Sequence, residues 1–519
     1  LNAAKARLFI FILLSVSGAL LVLVCTSKYG AGLTHDSAAY VYAAKGLLTG
    51  KGYVYFGYGT PFVQWPPIFP TLLAIMAGIG LDPISAARFV NAGVFGLIVF
   101  SSGLWFSKHI RNRALAVLGQ ASVLLSIPLL YVSTYMWTEP LFVLLIILFL
   151  FKLEDFLKYD RLKDLIFSAV FATLACLTRY IGVTAILTGV LLLLIQKRGF
   201  LKKLYHVTAF GFISCVPLAL WILRNYFVFS TTVGSRTASQ FTLRQNLEHT
   251  FNTAVSWFIP YARLAGIARV LVTAAAVVLA VCLIFIAVWN SRKNTGAGAS
   301  GYQYSYSMPV LPLAGFLLIY TAYLVASAAS VAIDAINNRL LAPVYIPLVV
   351  ILFVGLDGLH SLLLKNGIRR IWGLLPVVVG GLWLLYPFFN TVVLTRDTIE
   401  DGAGGYSSDK WRYSETIEYM NSSGEFSGCK VFSNYPDAVY LLTGLQAQYT
   451  PKKTGQYEYG FERFRRTVNQ GGCAYVVWFK SNMAGTIYDV DELSAAFDLE
   501  PVVKKTDGVV YMIGQRKYE

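Results

Sequence analysis

The sequence predicts a mostly α-helical bundle of membrane spans followed by a small α/β domain outside the membrane. Three observations carry that prediction. Hydrophobic residues make up 56% of the 519 positions and charged residues only 13%, roughly half the charged fraction of a soluble domain. Eleven apolar runs follow one another, most of them near the roughly 20 residues a helix needs to cross a bilayer. After about Asn390 the composition turns polar, with short apolar runs at globular spacing.

The elements follow in order. The first run, Leu8 to Val24, comes after Lys5 and Arg7. It is longer than a signal-peptide core and has no small-x-small cleavage site after it, so an uncleaved first span over 8–26 is expected. Further spans are expected at 84–106, 114–131, 139–152, 164–178, 181–196, 205–227, 265–289, 309–330, 340–357 and 371–390. Residues 65–80, W-P-P-I-F-P-T-L-L-A-I-M-A-G-I-G, are too short and too proline-rich to cross. They read as an interfacial or re-entrant helix inside a first external loop of about 27–83.

Charge sets the expected orientation. With the N-terminus in the cytoplasm, the cytoplasmic loops hold Lys108, Arg111 and Arg113; Lys152, Lys158, Arg161 and Lys163; Lys197, Arg198, Lys202 and Lys203; Arg292 and Lys293; and Lys365, Arg369 and Arg370. The short loops on the other side are poor in Lys and Arg, as the positive-inside rule requires. An odd number of spans then places 391–519 outside, beyond a 1–390 transmembrane domain. The formal charge of +16 is thereby assigned to topology and anionic headgroups. No basic stripe, finger or RNA-binding signature argues for nucleic acid.

In the tail, Lys410–Met420 and Phe461–Val468 have helical character, and Lys430–Asn434 and Ala474–Phe479 read as buried strands. Ser433, Asn434 and Asp437 follow the first strand's carboxyl end, where α/β sheets tend to bind ligands. Residues 295–301, T-G-A-G-A-S-G, read as a flexible cytoplasmic loop. Cys25, Cys176, Cys215 and Cys282 lie in apolar runs. Cys429 and Cys473 each precede a predicted strand, so neighbouring parallel strands would let them pair outside the cytosol.

The chemistry-bearing residues lie near the external span ends. Asp36, in T-H-D-S-A-A-Y (Thr34 to Tyr40), comes just after the first span. A carboxylate there is costly near lipid and points to function. The bland reading is a helix cap, since Asp is a favoured N-cap. Glu139 in T-E-P opens a span, where the helix dipole alone would favour it. Arg179, Arg224 and Arg339 sit at external helix ends, where snorkelling or anchoring competes with phosphate binding. Tyr40 is one helical turn from Asp36. Trp65, with Tyr53, Tyr55 and Tyr58, also suits an interfacial aromatic belt. His35 beside Asp36 does not make a metal site, because consecutive helical residues point apart.

The order of short motifs is more specific than any one of them. D-S-A-A-Y (36–40), G-L-L-T-G-K-G-Y (46–53), W-P-P-I-F-P (65–70) and A-A-R-F-V-N-A (86–92) come first. T-E-P-L-F (138–142), L-T-R-Y-I-G (177–182), L-R-N-Y (223–226) and N-N-R-L-L-A-P-V-Y (337–345) follow, and V-F-S-N-Y-P-D-A-V-Y-L-L-T-G (431–444) lies in the tail. This series resembles the GT-C superfamily of membrane glycosyltransferases, in particular bacterial relatives of protein O-mannosyltransferases and aminoarabinose transferases (glycosyltransferase family 39-like).

The resemblance implies a multi-pass enzyme of a bacterial inner or plasma membrane. Such an enzyme moves a sugar from a polyprenyl-phosphate donor to a protein, lipid or glycan acceptor on the external face, with inversion. Asp36 matches the first-loop catalytic aspartate, and a fixed carboxylate can take the acceptor's proton. Glu139 matches a second acidic position, with a supporting role. Arg339, Arg179 and Arg224 are the candidate donor-phosphate ligands, because arginine grips two oxygens at once. Tyr40 and Trp65 are candidate lining residues. No nucleotide is released, so no Gly-rich phosphate loop is needed, and nothing in the sequence requires a metal. Two departures stand out. Ser37 occupies a place where relatives often carry a second acid, and Trp65 stands where they often carry His or Lys. A phosphate cation must therefore come from elsewhere. The competing readings are a sugar or lipid transporter and a non-catalytic GT-C-fold scaffold.

Overall fold

The structure, a computed structural model, describes residues 3–55, 59–234, 236–293, 310–365, 373–453, 460–480 and 487–514. Tyr58, the 295–301 loop, Arg369 and Arg370 lie outside the described residues.

The chain begins with α1 (Ala3–Cys25), and two short helices, α2 (His35–Leu48) and α3 (Ile68–Gly78), occupy the expected first loop. Then come α4 (Pro83–His109), α5 (Arg113–Leu124), α6 (Ile127–Thr134), α7 (Glu139–Tyr159), α8 (Leu162–Thr178), α9 (Val183–Ile195) and α10 (Phe200–Phe229). The helical part ends with α11 (Leu243–Ser256), α12 (Gly266–Lys293), α13 (Val310–Ser330), α14 (Asn338–Lys365) and α15 (Leu375–Asp401).

Among the described residues, helices occupy each of the expected span positions, with one of these runs interrupted. Among the described residues, eight helical units are long and apolar enough to cross a membrane: α1, α4, α5 with α6, α10, α12, α13, α14 and α15. This is an integral membrane protein. The three remaining expected spans, α7 to α9, are shorter in their apolar stretch. α7 ends in the charged turn K-L-E-D-F-L-K, and α8 has only 17 residues.

Local chemistry explains the differences from expectation. The run 114–131 is two helices, not one. Ser126 starts α6 by accepting the Leu129 amide at 3.4 Å, and Pro128 lies in its first turn. The run 371–390 extends to Asp401, so the polar change at Asn390 falls within α15. The predicted helix 410–420 is broken into α16 (Asp409–Arg412) and α17 (Glu415–Ser422). Ser414 caps α17 and is itself held, with Thr416, by the Asp507 carboxylate.

Burial grades the helices. In α14, 83% of the most apolar stretch is buried, against 6% in α12. Prolines within α10 (Pro217), α14 (Pro343, Pro347) and α15 (Pro387) remove backbone donors. A bundle tolerates this because neighbouring helices and side chains satisfy the freed carbonyls.

The tail forms a five-stranded sheet in the order β2-β1-β3-β5-β4, with β1 (Lys430–Ser433), β2 (Ala447–Tyr449), β3 (Ala474–Phe479), β4 (Asp498–Lys504) and β5 (Gly508–Gly514). Strands β1, β2 and β3 are parallel, and β5 runs antiparallel to β3 and β4. The helices α18 (Pro436–Thr443), α19 (Phe461–Asn469) and α20 (Val490–Ser494) connect or flank them. Lys430 pairs with Ala474 in register. That register brings the preceding cysteines together, and Cys429 and Cys473 are joined with their Cα atoms 4.9 Å apart.

The segment between α1 and α2 is held on both sides. Gly32 makes a parallel bridge to Tyr135, and Leu33 makes one to Gly405. The Gly32 amide donates to Thr134 at 2.9 Å, the Met136 amide to Gly32 at 2.9 Å, and the Tyr406 amide to Leu33 at 2.8 Å. Gly405 has φ +58°, and a Cβ there would collide with the Leu33 carbonyl oxygen. Only glycine fits this close approach. Three stretches far apart in sequence therefore meet just before Asp36.

Candidate active site

Asp36 lies in the first turn of α2. It is not the cap. Thr34 holds the N-cap position, and its amide donates to the Ser37 hydroxyl at 3.0 Å. Ser37 also donates to the Met136 carbonyl at 3.2 Å, tying α2 to the segment before α7. A small hydroxyl at 37 thus has a local reason, and the Asp36 carboxylate is left for other partners.

Those partners come from three helix starts. Arg339, in the first turn of α14, pairs through Nη2 with Asp36 Oδ2 and through Nε with Glu139 Oε1 at 2.6 Å. Glu139 opens α7, is 1% exposed, and takes Arg179 Nη1 on the same oxygen at 2.5 Å. Arg179 sits between α8 and a 3₁₀ turn at Tyr180–Gly182, and also donates to Thr138 Oγ1 at 3.0 Å. Asp334 Oδ2 lies 3.7 Å from Arg339 Nη1 but is largely exposed. The guanidinium of Arg339 lies over the Trp137 ring, 4.1 Å from its centre. Trp137 is fixed in turn by stacking on Tyr135 and by its Nε1–H donating to Thr34 Oγ1 at 2.9 Å.

Two acids and two arginines thus alternate: Asp36, Arg339, Glu139, Arg179. The arrangement fixes the charge state of Asp36. Burial alone would push its carboxyl up. The Arg339 charge and hydrogen bond, helped by His35 and Arg179, hold it below the usual carboxylate range. Oδ1 carries no hydrogen bond among the described residues. Tyr40 is buried one turn on, and burial with the fields of Asp36 and Glu139 keeps its hydroxyl protonated.

Trp65 packs close by. Its ring stacks on Tyr55 and on Phe62, at 5.8 and 5.6 Å, with Tyr40 at 6.1 Å and His35 at 5.8 Å. Arg224 does not join the cluster. Its guanidinium donates to the Phe62 and Tyr53 carbonyls at 2.9 and 3.3 Å and lies over Trp221, so it braces the first loop. Tyr180 does the same, donating to the Val63 carbonyl at 2.9 Å.

Three features were not read from the sequence. Trp137 immediately precedes the T-E-P motif, and its neighbourhood was the available hint. Arg236, in a loop with no readable code, donates to the carbonyls of Gln64, next to Trp65, and Val233 at 3.4 and 3.2 Å. His35 meets the tail, its Nδ1 3.0 Å from Asp437 Oδ2. Asp437 therefore faces α2, with Tyr449 and Tyr406 hydroxyls donating to it at 2.9 and 3.1 Å. Ser433 and Asn434 turn inward, Asn434 bonding both backbone groups of Phe479. Among the described residues, no three His, Cys, Asp or Glu side chains group as a metal site would need.

Comparison with known proteins agrees with this architecture. Residues 64–221, under a third of the chain, match the family model for dolichyl-phosphate-mannose-protein mannosyltransferase. The fold is similar to that of ArnT from Cupriavidus metallidurans bound to undecaprenyl phosphate, with a TM-score of 0.61 at 11% identity over 98% of both chains. The apo form gives 0.57 at 12% identity over the same shares. The archaeal oligosaccharyltransferase AglB from Archaeoglobus fulgidus, in complex with an inhibitory peptide and a dolichol-phosphate, gives 0.52 at 12% identity over 90% of this chain and 69% of that one. No curated protein matches the chain in sequence. The class is clear: a membrane protein with the GT-C glycosyltransferase fold. The stretch that matches the mannosyltransferase model contains Trp65, Glu139 and Arg179.

Proposed function

We propose that the chain is an inverting glycosyltransferase that moves a sugar from a polyprenyl-phosphate donor to an acceptor on the external face of the membrane. The observation that carries this reading is the Asp36–Arg339–Glu139–Arg179 chain of charges at converging helix starts in a GT-C fold. The lipid carriers in the ArnT and AglB structures support a polyprenyl-phosphate donor.

The acceptor hydroxyl oxygen attacks the anomeric carbon while its proton passes to Asp36 Oδ1. The bond from that carbon to the phosphate oxygen breaks, and the electron pair leaves with the polyprenyl phosphate. The phosphate gains one negative charge as Asp36 loses one. Arg339 is then left with excess positive charge beside the site, held in place by Glu139. A fixed cation that meets charge developing in the transition state lowers the barrier. Arg179 fixes Glu139, and Arg236, which donates to the Gln64 carbonyl next to Trp65, supplies a cation beside the usual basic position. Tyr40 and Trp65 wall the site. The basic loops lie in the cytoplasm, and the tail lies outside.

The test is transfer of labelled sugar from a chemically defined lipid-linked donor by the purified protein in detergent. Release of polyprenyl phosphate with sugar on the acceptor supports the reading. Movement of intact donor across a vesicle bilayer without glycosidic bond cleavage would make it a transporter, and binding without turnover a scaffold.

A further inference from the structure

The C-terminal region touches the first turn of the helix that carries Asp36. Asp437, 2% exposed in the first turn of α18, has its Oδ2 3.0 Å from His35 Nδ1. Tyr449 donates to its Oδ1 and Tyr406 to its Oδ2. On its other edge His35 meets the Tyr55 hydroxyl at 3.1 Å through Nε2, and the ring packs against Trp65, Tyr55 and Tyr449. His35 and Asp36 are consecutive in one helical turn, so their side chains diverge by about 100°. One is held by the tail and the other by Arg339. Neither side chain can swing about the helix axis without pulling the other from its partner. The Leu33–Gly405 bridge and the Ser407 hydroxyl donating to the Ala31 carbonyl at 2.8 Å fix the chain just upstream.

We infer that Asp437 and His35 are positioning residues, through which the C-terminal region holds Asp36 in register with Arg339. This rests on the transferase reading above. The tail is then a working part of the site and not merely an appended domain. Misplacing a reacting group by about 1 Å can cost on the order of 10²-fold in rate, so losing one of several restraints is expected to lower kcat tenfold to a hundredfold.

The experiment compares Asp437→Asn, His35→Gln, the double variant and Asp437→Glu in the full-length protein. Two readouts are taken: steady-state transfer from a defined lipid-linked sugar, and hydrogen exchange of the α2 amides. The expected result is a tenfold to hundredfold fall in kcat in each single variant, with donor KM within twofold. The double variant should be no slower than the slower single, Asp437→Glu should recover part of the rate, and exchange in α2 should rise. His35→Gln, at a partly exposed position, keeps the test open if Asp437→Asn does not fold. Folded variants with parental kcat and parental α2 exchange would overturn the inference, as would rate losses that multiply in the double variant. A parental protein that transfers no sugar defeats the transferase reading instead, and the α2 exchange then decides the mechanical claim alone.

Discussion

Replacing Asp36 by asparagine is the sharpest perturbation available, because the structure separates its effects on folding and on chemistry. The helix start is secured by Thr34 and Ser37, so no cap is lost. Asparagine keeps an oxygen for Arg339, whose Nε remains on Glu139 at 2.6 Å. The charge-assisted bond becomes an ordinary one, a change of about 1 kcal/mol, and the side chain also loses its favourable place near the helix dipole, about 0.3–1 kcal/mol. Both effects are small beside the loss of a positioned base. That loss costs on the order of 10²–10⁴ in rate, or about 3–5 kcal/mol in the barrier. The expected outcome is near-complete loss of transfer with a melting temperature lowered by only a few degrees. Single-turnover transfer from a verified donor and thermal unfolding in the same detergent measure the two separately. The acid limb of the pH–rate profile adds a check. Since Arg339 holds the Asp36 carboxyl below its usual range, parental activity should stay level through neutrality and fall only under strongly acidic conditions, and the residual rate of the variant should show no such limb. Transfer at the parental rate by Asp36→Asn would refute the assignment of the base and with it the whole site.

Other outcomes follow from the same geometry. Arg339→Ala should lower kcat and weaken donor binding, and because it strips Glu139 and Asp36 of a shared cation it should also destabilise the fold by about 3–5 kcal/mol; Arg339→Lys should restore more stability than rate, since one ammonium cannot reproduce the fork. Gly405→Ala should yield poorly folded protein, measured as lost monodisperse yield, because the new methyl meets the Leu33 carbonyl. Reducing Cys429–Cys473, which closes a loop of sequence separation 44, should destabilise the sheet by about 2–4 kcal/mol, read as faster proteolysis of the tail. The His35–Asp437 contact should have a pH window. Burial raises the Asp437 carboxyl, but His35, Tyr449 and Tyr406 bring it below its ordinary value, so its contribution is complete above that value and is lost as pH falls through the depressed one. Burial lowers the His35 imidazole, but Asp437 and Asp36 outweigh burial and opposing Lys452 and bring it above its ordinary value; with Tyr55 and Tyr449 also facing the ring, its contribution is complete below about pH 6.5 and is lost as pH rises through the raised value. The melting-temperature gap between parent and His35→Gln should therefore close on the alkaline side.

Periodicity and span length made the membrane helices readable, because a bilayer demands long apolar runs and tolerates little else. Asp36, Glu139, Arg179 and Arg339 stood out because charge at the end of an apolar run is conspicuous. The break at Ser126 was hidden in a continuous apolar stretch, where a serine and a proline are the only marks of a new helix start. The split at Ser414 depends on Asp507, ninety-three residues away, and no local pattern encodes such a partner. The same holds for Arg224. Its sequence neighbourhood does not say that two backbone carbonyls of the first loop claim its donors. His35 is uninformative beside Asp36 for the same reason, since its partner lies 402 residues downstream.

These separations also bear on how the protein is made. Asp36 and Arg339 are 303 residues apart, and Ala31 and Ser407 are 376 apart. At roughly 5–20 residues per second of synthesis, α2 waits something like 20–75 s for the segment that seals it. Until α14 arrives, Asp36 and Glu139 lack Arg339, and of the ion-pair partners described for the two acids Arg179 alone is present. The nascent chain must therefore shelter two carboxylates, one of them almost wholly buried in the finished fold, until α14 has been made.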